Sequence, residues 1–569
     1  MTHSLVEVTD LVVDFPVGGA GEHVRAVARV SFTLEAGRAL GVVGESGSGK
    51  STVAAALLGL HRGTGARLGG TVRVGGTDVA TASAAELRRL RGGTAAMVFQ
   101  DPLSSLDPYY AIGDQIAEVH RIHADVSRRA ARARAVEVLD RVGIPDAVRR
   151  SRARPHEFSG GMRQRALIAM ALACEPRLLI ADEPTTALDV TVQAQILDLL
   201  HGLREERGLG LLLVTHDVGV AAESVDEVLV MRGGYAVERG PVASVLAAPA
   251  EPYTRALLAA VPRLDAPRRS RGSAPDPAPQ TPAGLEVPPV GPGVSPVGPE
   301  GAGSEGGQPV VEAFSLRREF GRGRRKVAAV AGVSLAVHAG ETLGIVGESG
   351  SGKSTLGRML VGLLEPGSGQ VRRDGVPVTG IASGVQMVFQ DPVSSLNPRR
   401  SVGESIADPL RAAGERDGAA VRARVEELLL RVGLEAEHYD RYPHEFSGGQ
   451  RQRVGIARAL APRPRLIVCD EPVSALDVTT QAQVTALLAE LQRELGIALV
   501  FIAHDLAVVR QVSDRVAVMR AGEIVEEGPV DEVYDRPAHP YTRQLLAAVP
   551  ALDPALAAGR RRTRQEVFA

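Results

Sequence analysis

Residues 158–189 read FSGGMRQRALIAMALACEPRLLIADEPTTALD, a glycine-rich turn followed by two apolar runs and an acidic pair. Residues 446–477 read FSGGQRQRVGIARALAPRPRLIVCDEPVSALD, which repeats that order. In both copies the serine of FSGG precedes the first residue of the acidic pair by 23 positions. The repeat predicts two similar halves.

Each copy combines two kinds of chemistry. A glycine-rich turn that opens a helix presents free backbone N–H groups to an anion. The acidic pairs, Asp182 with Glu183 and Asp470 with Glu471, follow apolar runs typical of buried strands. Carboxylates at a strand end can hold Mg²⁺ and orient a water molecule. The sequence therefore predicts a phosphate-binding element and a hydrolytic element, each present twice.

The composition argues against several classes of protein. At 569 residues the chain is too long for one hydrophobic core. A net charge of −2 argues against a nucleic-acid partner held by bulk positive charge. Two cysteines, Cys174 and Cys469, cannot form a disulfide framework or a four-ligand zinc site, and they favour a reduced cytosolic compartment. Without an apolar run of about 18 residues or a signal pattern, we expect neither a membrane span nor export.

A phosphate-binding loop is predicted in each half. The apolar run RALGVV leads into GESGSGKST, and the helical pattern TVAAALLGL follows, which is the strand–loop–helix context that this motif needs. Its backbone N–H groups would surround phosphates, its lysine would reach the β- and γ-oxygens, and its serine would bind Mg²⁺. The predicted binding residues are Gly44, Gly47, Gly49, Lys50, Ser51 and Thr52 in the first half and Gly347, Gly350, Gly352, Lys353, Ser354 and Thr355 in the second.

Lysine usage supports this reading. Lys50, Lys326 and Lys353 are the only lysines, and two of them lie in the repeated motif. An arginine-rich chain that keeps lysine there indicates a need for a compact ammonium charge.

Further polar residues recur at predicted strand ends. His216 and His504 each lie 33 residues after the glutamate of the acidic pair, and this repetition favours function over a structural role. Gln100 and Gln390 end the runs AAMVFQ and VQMVFQ; a single such glutamine would be taken for a loop residue. The arginine-rich run SRRAARARAVEVLDRVG is interpreted as a solvated helix face.

We predict three segments. A first domain spans residues 1–265, a second spans 309–569, and both end in similar tails, EPYTRALLAAVPRLD and HPYTRQLLAAVPALD. Residues 266–308 are rich in Pro, Gly and Ser, which is typical of a flexible linker. The C-terminal GRRRTRQEVFA is expected to fray.

These motifs resemble the ATP-binding subunits of ABC transporters over nearly all of both halves. The resemblance implies an α/β fold with two ABC-type P-loop NTPase domains, each with a RecA-like core, an antiparallel β subdomain and a helical subdomain. The tails and GESGSGKST resemble the oligopeptide, dipeptide and nickel importer branch, in which the two ATPases are commonly separate chains.

The resemblance also implies where ATP and Mg²⁺ bind. The two halves would form an intramolecular head-to-tail dimer, with each ATP between the Walker motifs of one half and the signature of the other. Glu183, His216, Glu471 and His504 would be catalytic. The implied signature residues are Ser159, Gly160 and Gly161 with Met162, and Ser447, Gly448, Gly449 and Gln450. The implied Mg²⁺ ligands are Ser51, Gln100 and Asp182, and Ser354, Gln390 and Asp470; Phe15 and Phe320 would stack on adenine.

Both sites are expected to hydrolyse ATP, since both keep their glutamate and histidine. Met162 stands where Gln450 stands in the second half and cannot donate a hydrogen bond, which would make the site that it serves the slower one. Some relatives carry a four-cysteine iron–sulfur cluster near the C-terminus. No cysteine lies near either tail, so no cluster is expected.

The favoured function is the ATPase of an importer, acting at the cytoplasmic face of the cell membrane. It would bind two integral-membrane permease subunits and act indirectly with an extracytoplasmic substrate-binding protein. Oligopeptides or dipeptides are the expected cargo, with nickel or other solutes open. The alternative is a soluble tandem ABC ATPase such as a ribosome-binding translation factor, which a charged helical linker would favour.

Overall fold

The computed structural model describes residues 4–17, 22–186, 188–264, 308–321, 326–381, 384–391, 395–474, 476–553, 556–557, 559–560 and 564. The predicted linker, residues 266–308, lies outside the described residues except for Gln308. The chain forms two compact units. The first comprises Met1–Val261, Ala475–Ala482 and Arg543–Ala569, and the second comprises Pro262–Ser474 and Gln483–Thr542.

A four-stranded antiparallel sheet opens the first half, as the alternating pattern predicts. Its strand order is β2-β1-β4-β5. In β1, buried and exposed residues alternate over much of the strand, so one face packs on the core. The strands are β1 (Val6–Pro16), β2 (His23–Leu34), β4 (Arg67–Val74) and β5 (Thr77–Asp78).

A six-stranded sheet of order β10-β9-β3-β8-β7-β6 forms the centre of the first half. Its strands run parallel except β10, which is antiparallel to β9. Every residue of β3, β7 and β8 is buried, which explains why these segments are continuous apolar runs. The strands are β3 (Ala39–Val43), β6 (Ala95–Val98), β7 (Leu178–Asp182), β8 (Gly210–Thr215), β9 (Glu227–Arg232) and β10 (Tyr235–Pro241).

Helices follow the strands of this sheet and also build a separate helical subdomain, in which α4, α5 and α7 contact one another. The α-helices are α1 (Lys50–Leu57), α2 (Ala84–Arg89), α3 (Pro102–Ser105), α4 (Ile112–His123), α5 (Arg128–Arg141), α6 (Ala147–Arg150), α7 (Gly160–Leu172), α8 (Val190–Arg207), α9 (Val218–Ser224), α10 (Val242–Ala247) and α11 (Pro252–Ala260).

The strands of the second half repeat this arrangement. The antiparallel sheet has the order β12-β11-β14-β15, and the central sheet has the order β16-β17-β18-β13-β19-β20. The strands are β11 (Val311–Phe320), β12 (Val327–Val337), β13 (Thr342–Val346), β14 (Ser368–Arg373), β15 (Val376–Val378), β16 (Val385–Val388), β17 (Leu466–Asp470), β18 (Ala498–Ile502), β19 (Arg515–Arg520) and β20 (Glu523–Pro529).

The helices of the second half follow the same order, and α13, α14 and α15 form its helical subdomain. They are α12 (Lys353–Val361), α13 (Val402–Ala412), α14 (Gly418–Arg431), α15 (Gly448–Leu460), α16 (Val478–Leu495), α17 (Leu506–Val512), α18 (Val530–Asp535) and α19 (Pro540–Ala548). The predicted fold class is therefore confirmed. None of the described helices is long and apolar enough to cross a membrane.

The expectation that the C-terminus frays is wrong for Arg560 and Arg564. Arg560 Nη1 donates to the carbonyl of Val549 at 2.9 Å. Arg564 is 2% exposed, and its Nη2 lies 3.2 Å from Glu223 Oε2 within the first unit. The Glu223 side chain is itself only 4% exposed. A carboxylate removed from water in this way is stabilised by a cation, which explains the order at Arg564.

Candidate functional site

In the first half, the phosphate-binding loop connects β3 to α1. Helix α1 begins at Lys50, directly after Gly49 in a left-handed conformation with a φ of 97°. A Cβ atom on Gly49 would lie 2.4 Å from the Ala26 carbonyl oxygen, so the loop tolerates no larger residue there. Lys50 Nζ donates to the carbonyls of Gly44 and Glu45 at 2.8 and 2.7 Å. Burial lowers the pKa of Lys50, despite the opposing effect of the nearby carboxylates.

A hydroxyl and a carboxylate meet beside this loop. Ser51 Oγ donates to Asp182 Oδ1 at 2.9 Å, where Asp182 ends strand β7. Burial raises the pKa of Asp182, and the charge of Glu183 adds to this effect, although the Ser51 hydrogen bond opposes it. A cation at this position would offset the desolvation. Hard oxygen donors of this kind fit Mg²⁺.

Glu183 is held by three polar side chains. Its Oε2 accepts hydrogen bonds from Gln100 Nε2 at 2.8 Å and Thr186 Oγ1 at 3.0 Å, and it lies 3.3 Å from His216 Nδ1. Its φ is 48°, an uncommon conformation for a residue other than glycine, and its N–H donates to the carbonyl of Val214 at 2.9 Å. The backbone of Glu183 is thus held in the conformation that directs its side chain toward Gln100 and His216.

Glu183 and His216 stabilise each other's charged form. Burial alone would raise the pKa of Glu183, but the hydrogen bond and charge of His216 outweigh it and lower that pKa. Burial alone would lower the pKa of His216, but Glu183 raises it instead. A carboxylate and an imidazole kept in this form can orient a polar ligand or water.

The second half reproduces these contacts closely. Lys353 Nζ donates to the carbonyls of Gly347 and Glu348 at 2.7 and 2.9 Å. The remaining contacts are Ser354 Oγ to Asp470 Oδ1 at 2.7 Å, Gln390 Nε2 to Glu471 Oε2 at 3.0 Å, and His504 Nδ1 to Glu471 Oε2 at 3.3 Å. Glu471 has a φ of 47°, so the strained backbone is repeated as well. Each half therefore brings its predicted Walker, glutamine, glutamate and histidine residues into one cluster.

The remaining glycines and threonines of the loops occupy matching positions. Gly44 and Gly347 have φ values of 152° and 150°, and Gly47 and Gly350 have 77° and 78°. Gly352 has a φ of 105°, directly before Lys353 opens α12. Thr52 and Thr355 lie in the first turns of α1 and α12.

The two aromatic residues predicted to stack on adenine have different surroundings. The Phe15 ring lies edge-on to His61, with 5.2 Å between the ring centroids, and His61 Nε2 lies 2.9 Å from the carbonyl oxygen of Thr52. Phe320 is 45% exposed, and the Arg318 guanidinium lies 5.4 Å from its ring centroid.

The signature serines cap the helices that follow them. Ser159 Oγ accepts from the N–H of Met162, and Ser447 Oγ accepts from the N–H of Gln450, both at 3.3 Å. Gln450 Oε1 also accepts from the N–H of Ser447 at 3.0 Å, which completes a capping box that Met162 cannot form. Compared with Gln450, Met162 therefore lacks both the amide oxygen that accepts a hydrogen bond and the amide N–H that could donate one.

The signature glycines start α7 and α15. The pairs are Gly160 with Gly161 and Gly448 with Gly449. A Cβ on Gly161 would lie 2.4 Å from Val192 Cγ1, so a larger residue there would force Val192 to move.

Two tyrosines at the loops were not identified from the sequence. Tyr541 accepts a hydrogen bond on its hydroxyl oxygen from the N–H of Glu348 at 3.1 Å, and Tyr253 accepts one from Glu45 at 3.4 Å. Both tyrosines belong to the repeated PYTR of the tails. That repetition was the available signal, but it gives no indication of what the tyrosine contacts.

Comparisons with known proteins agree with the site. The ABC transporter family profile matches residues 27–186 and 330–474. The profile of the oligopeptide/dipeptide transporter C-terminal region matches residues 237–284 and 525–568.

Curated relatives match over nearly the whole of this chain. The glutathione import ATP-binding protein GsiA of Escherichia coli (strain K12) is 47% identical over 565 residues, which cover 94% of this chain and 88% of the relative. Its Salmonella typhi counterpart is 48% identical over 566 residues, with the same coverage. A solved dimeric ATP-binding cassette with bound ADP and Pi is 32% identical, with a TM-score of 0.36, and covers 39% of this chain and 98% of that chain.

The similarity to these import proteins extends over both halves and both tails, which confirms the expected importer ATPase and gives no support to a translation factor. The chain belongs to the ABC transporter ATP-binding proteins of the oligopeptide/dipeptide family, and it hydrolyses ATP to energise the import of peptide-like substrates.

Proposed function

We propose that this ATPase energises the import of glutathione or of short peptides similar to it. The observation that carries the proposal is the 47% identity to a glutathione import ATP-binding protein across 94% of the chain. The cargo itself would be selected by an extracytoplasmic binding protein and carried by two integral-membrane permease subunits. The chain would act at the cytoplasmic face of the membrane, as domains 1–265 and 309–569 joined by the linker 266–308, without a nucleic-acid partner or an iron–sulfur cluster.

ATP would bind between the two halves in a head-to-tail arrangement. The resemblance to ABC transporter ATPases supports this arrangement, because each half supplies one phosphate-binding loop and one signature segment. The first site would join Lys50, Ser51, Asp182, Glu183 and His216 to Ser447, Gly448 and Gly449. The second would join Lys353, Ser354, Asp470, Glu471 and His504 to Ser159, Gly160 and Gly161, with Phe15 and Phe320 against the adenines.

The residues of each half would act mainly by positioning and electrostatics. Lys50 Nζ now contacts loop carbonyls, and it would turn to the β- and γ-phosphate oxygens. Glu183 would orient the attacking water and accept its proton, while His216 fixes the carboxylate and contacts the γ-phosphate. Lys353, Glu471 and His504 would do the same in the other site.

Mg²⁺ would be held by Ser51, Asp182 and Gln100 in the first half. Ser354, Asp470 and Gln390 would hold it in the second. When bound, the ion neutralises charge on the phosphates. Each glutamine now donates its amide N–H to the catalytic glutamate, and so it would link the nucleotide to the helical subdomain that contacts the permeases.

Gentle detergent extraction of the tagged protein from native membranes, followed by mass spectrometry, tests the assembly. We expect two polytopic permeases in the eluate, and uptake of labelled glutathione by intact cells. A Lys50→Ala/Lys353→Ala variant should retain the permeases but lose the uptake. Co-purification of ribosomal proteins instead of permeases would refute the transport role, and permeases without glutathione uptake would refute only the cargo.

A further inference from the structure

The second unit contains an arginine-lined cavity of about 470 Å³ that shares no residue with the nucleotide site. It lies where α14 meets the end of α15, the start of β17 and the end of α16. Leu428 and Leu460 form part of its apolar wall. Its four arginines are Arg424, Arg431, Arg463 and Arg465. A cavity of this size is ample for a small organic ligand.

The charges around the cavity are unbalanced. Arg424 Nη1 pairs with Glu427 at 2.7 Å, yet its Nε is buried without a hydrogen-bond partner. Arg465 pairs with Asp374 at 2.6 Å. The side chains of Arg431 and Arg463 form no ion pair with any other described residue. Four guanidinium groups thus face two carboxylates.

The first half shows how the same position is neutralised. Glu175 stands where Arg463 stands in the second half, and both have a φ of 54°. Glu175 Oε1 pairs with Arg134 at 2.8 Å and with Arg207 at 3.1 Å. These arginines, Arg207 first, lower the pKa of Glu175 and keep it ionised. Arg134 also pairs with Glu137, as its counterpart Arg424 pairs with Glu427, so the second half lacks one of the two carboxylates that this arginine contacts in the first half.

Two further positions around the cavity also have fewer polar contacts in the second half than in the first. Arg134 Nε donates to the carbonyl of Ala173 at 3.2 Å, whereas the Nε of Arg424 is unsatisfied. Leu495 lines the second-half cavity at the position of Arg207. Where the first half has a partly exposed ion-pair network, the second half therefore has an open cavity with excess positive charge and an apolar wall.

We propose that this cavity binds a small organic dianion, a phosphate monoester that carries an apolar group. The phosphate would take the place that the Glu175 carboxylate has in the first half and bind Arg424, Arg431 and Arg463. Guanidinium groups suit this role because they donate paired hydrogen bonds to phosphate oxygens. The apolar group would lie against Leu428 and Leu460.

Phenyl phosphate is the probe, titrated calorimetrically into the full-length Lys50→Ala/Lys353→Ala variant. That background removes the ammonium groups of both nucleotide loops, so that phosphate binding there is weakened. Phenol tests whether the phosphate is needed, and inorganic phosphate tests whether the phenyl group is needed. We expect phenyl phosphate to bind more tightly than either.

The decisive comparison adds Arg463→Glu, which restores the first-half residue. Loss of a charged hydrogen-bonding partner should weaken phenyl phosphate binding by about tenfold or more. Arg536→Glu changes the charge equally at an exposed position outside the cavity and should leave binding unchanged. Arg463→Gln provides a second variant that removes the charge alone. Undiminished binding to both Arg463 variants, or equal binding of phenol or inorganic phosphate, would overturn the proposal.

Discussion

The tyrosine of each tail supports a phosphate-binding loop through one hydroxyl oxygen. Burial raises the pKa of Tyr253 to about 12, so its hydroxyl remains protonated at neutral pH. In the second half, Tyr541 accepts from the Glu348 N–H, and the Arg520 guanidinium lies 4.8 Å from its ring centroid. The ring and the hydroxyl of Tyr541 thus have different contacts. A Phe substitution would remove the hydroxyl contact and keep the ring contact.

Tyr541→Phe should raise the KM for ATP by about fivefold with little change in kcat, because one hydrogen bond of about 1 kcal/mol that orders the loop is lost. Steady-state ATPase assays measure this directly. Tyr109→Phe removes a hydroxyl from an 80% exposed residue and should change neither parameter. A fall in kcat with KM unchanged would contradict a loop-ordering role.

ATP hydrolysis in each half should depend on the glutamate that follows the Walker aspartate. Glu183→Gln and Glu471→Gln each keep the hydrogen-bonding shape but remove the base. We expect each to lower the ATPase rate and the double variant to lower it by about 10²-fold or more, with ATP still bound. Single-turnover assays with labelled ATP provide the measurement. An unchanged rate in Glu471→Gln would mean that the second site is silent in the native protein.

At the scale of an element, Glu404 ties helix α13 to its neighbours. Its Oε2 accepts from Arg411 Nη1 at 2.6 Å, and its Oε1 accepts from the Tyr439 hydroxyl at 3.2 Å. Arg411, followed by smaller effects of Tyr439 and Arg400, lowers the pKa of Glu404 to about 2, although burial opposes this. Because the side chain is 37% exposed, we discount this shift to about 1 kcal/mol of stability.

The pKa of Glu404 is depressed on folding, so its stabilisation is complete above about pH 4.5 and is lost as the pH falls toward 2. At each pH between 5 and 8, the Tm of Glu404→Gln should be about 2 °C below that of the unchanged protein. This difference should narrow below pH 4.5. Calorimetric scans across that range measure it, with exposed Glu437→Gln as the matched control. A difference that stays constant down to pH 3.5 would exclude the ion pairs as its cause.

Local elements could be predicted from the sequence because their causes are local. The run RALGVV, the loop GESGSGKST and the helix after it are adjacent in the chain, and glycine supplies the positive φ that the loop requires. The contact of Tyr253 with Glu45 spans 208 residues, and that of Arg564 with Glu223 spans 341. No periodicity or turn pattern indicates such pairs. A basic C-terminus is therefore predicted to fray, although one buried carboxylate orders it.

For the whole molecule, the repeat is most informative where the two halves differ. The loop, the acidic pair, the glutamine and the histidine form matching contacts in each half. Two of the differences between the halves are Met162 against Gln450 and Glu175 against Arg463. The sequence could show that these residues differ. It could not show that one difference completes a capping box and the other leaves an arginine unsatisfied.

The proposed head-to-tail arrangement predicts which signature serves which glutamate. Ser447→Asp should still cap α15, since Asp and Ser are comparable N-caps, while its charge repels a γ-phosphate. If Ser447 serves the site of Glu183, adding Ser447→Asp to Glu183→Gln should cost no further activity. Added to Glu471→Gln, it should lower the residual ATPase by about tenfold or more, because the remaining active site is then damaged.

Ser159→Asp is the matched variant in the first half, and its pattern should be reversed. ATPase assays of the four double variants, set against their single variants, complete the test. The opposite pattern for both serines would place each signature on the nucleotide of its own half. Equal losses in both backgrounds would show that the serines act on helix stability alone, since a phosphate contact can belong to only one of the two sites.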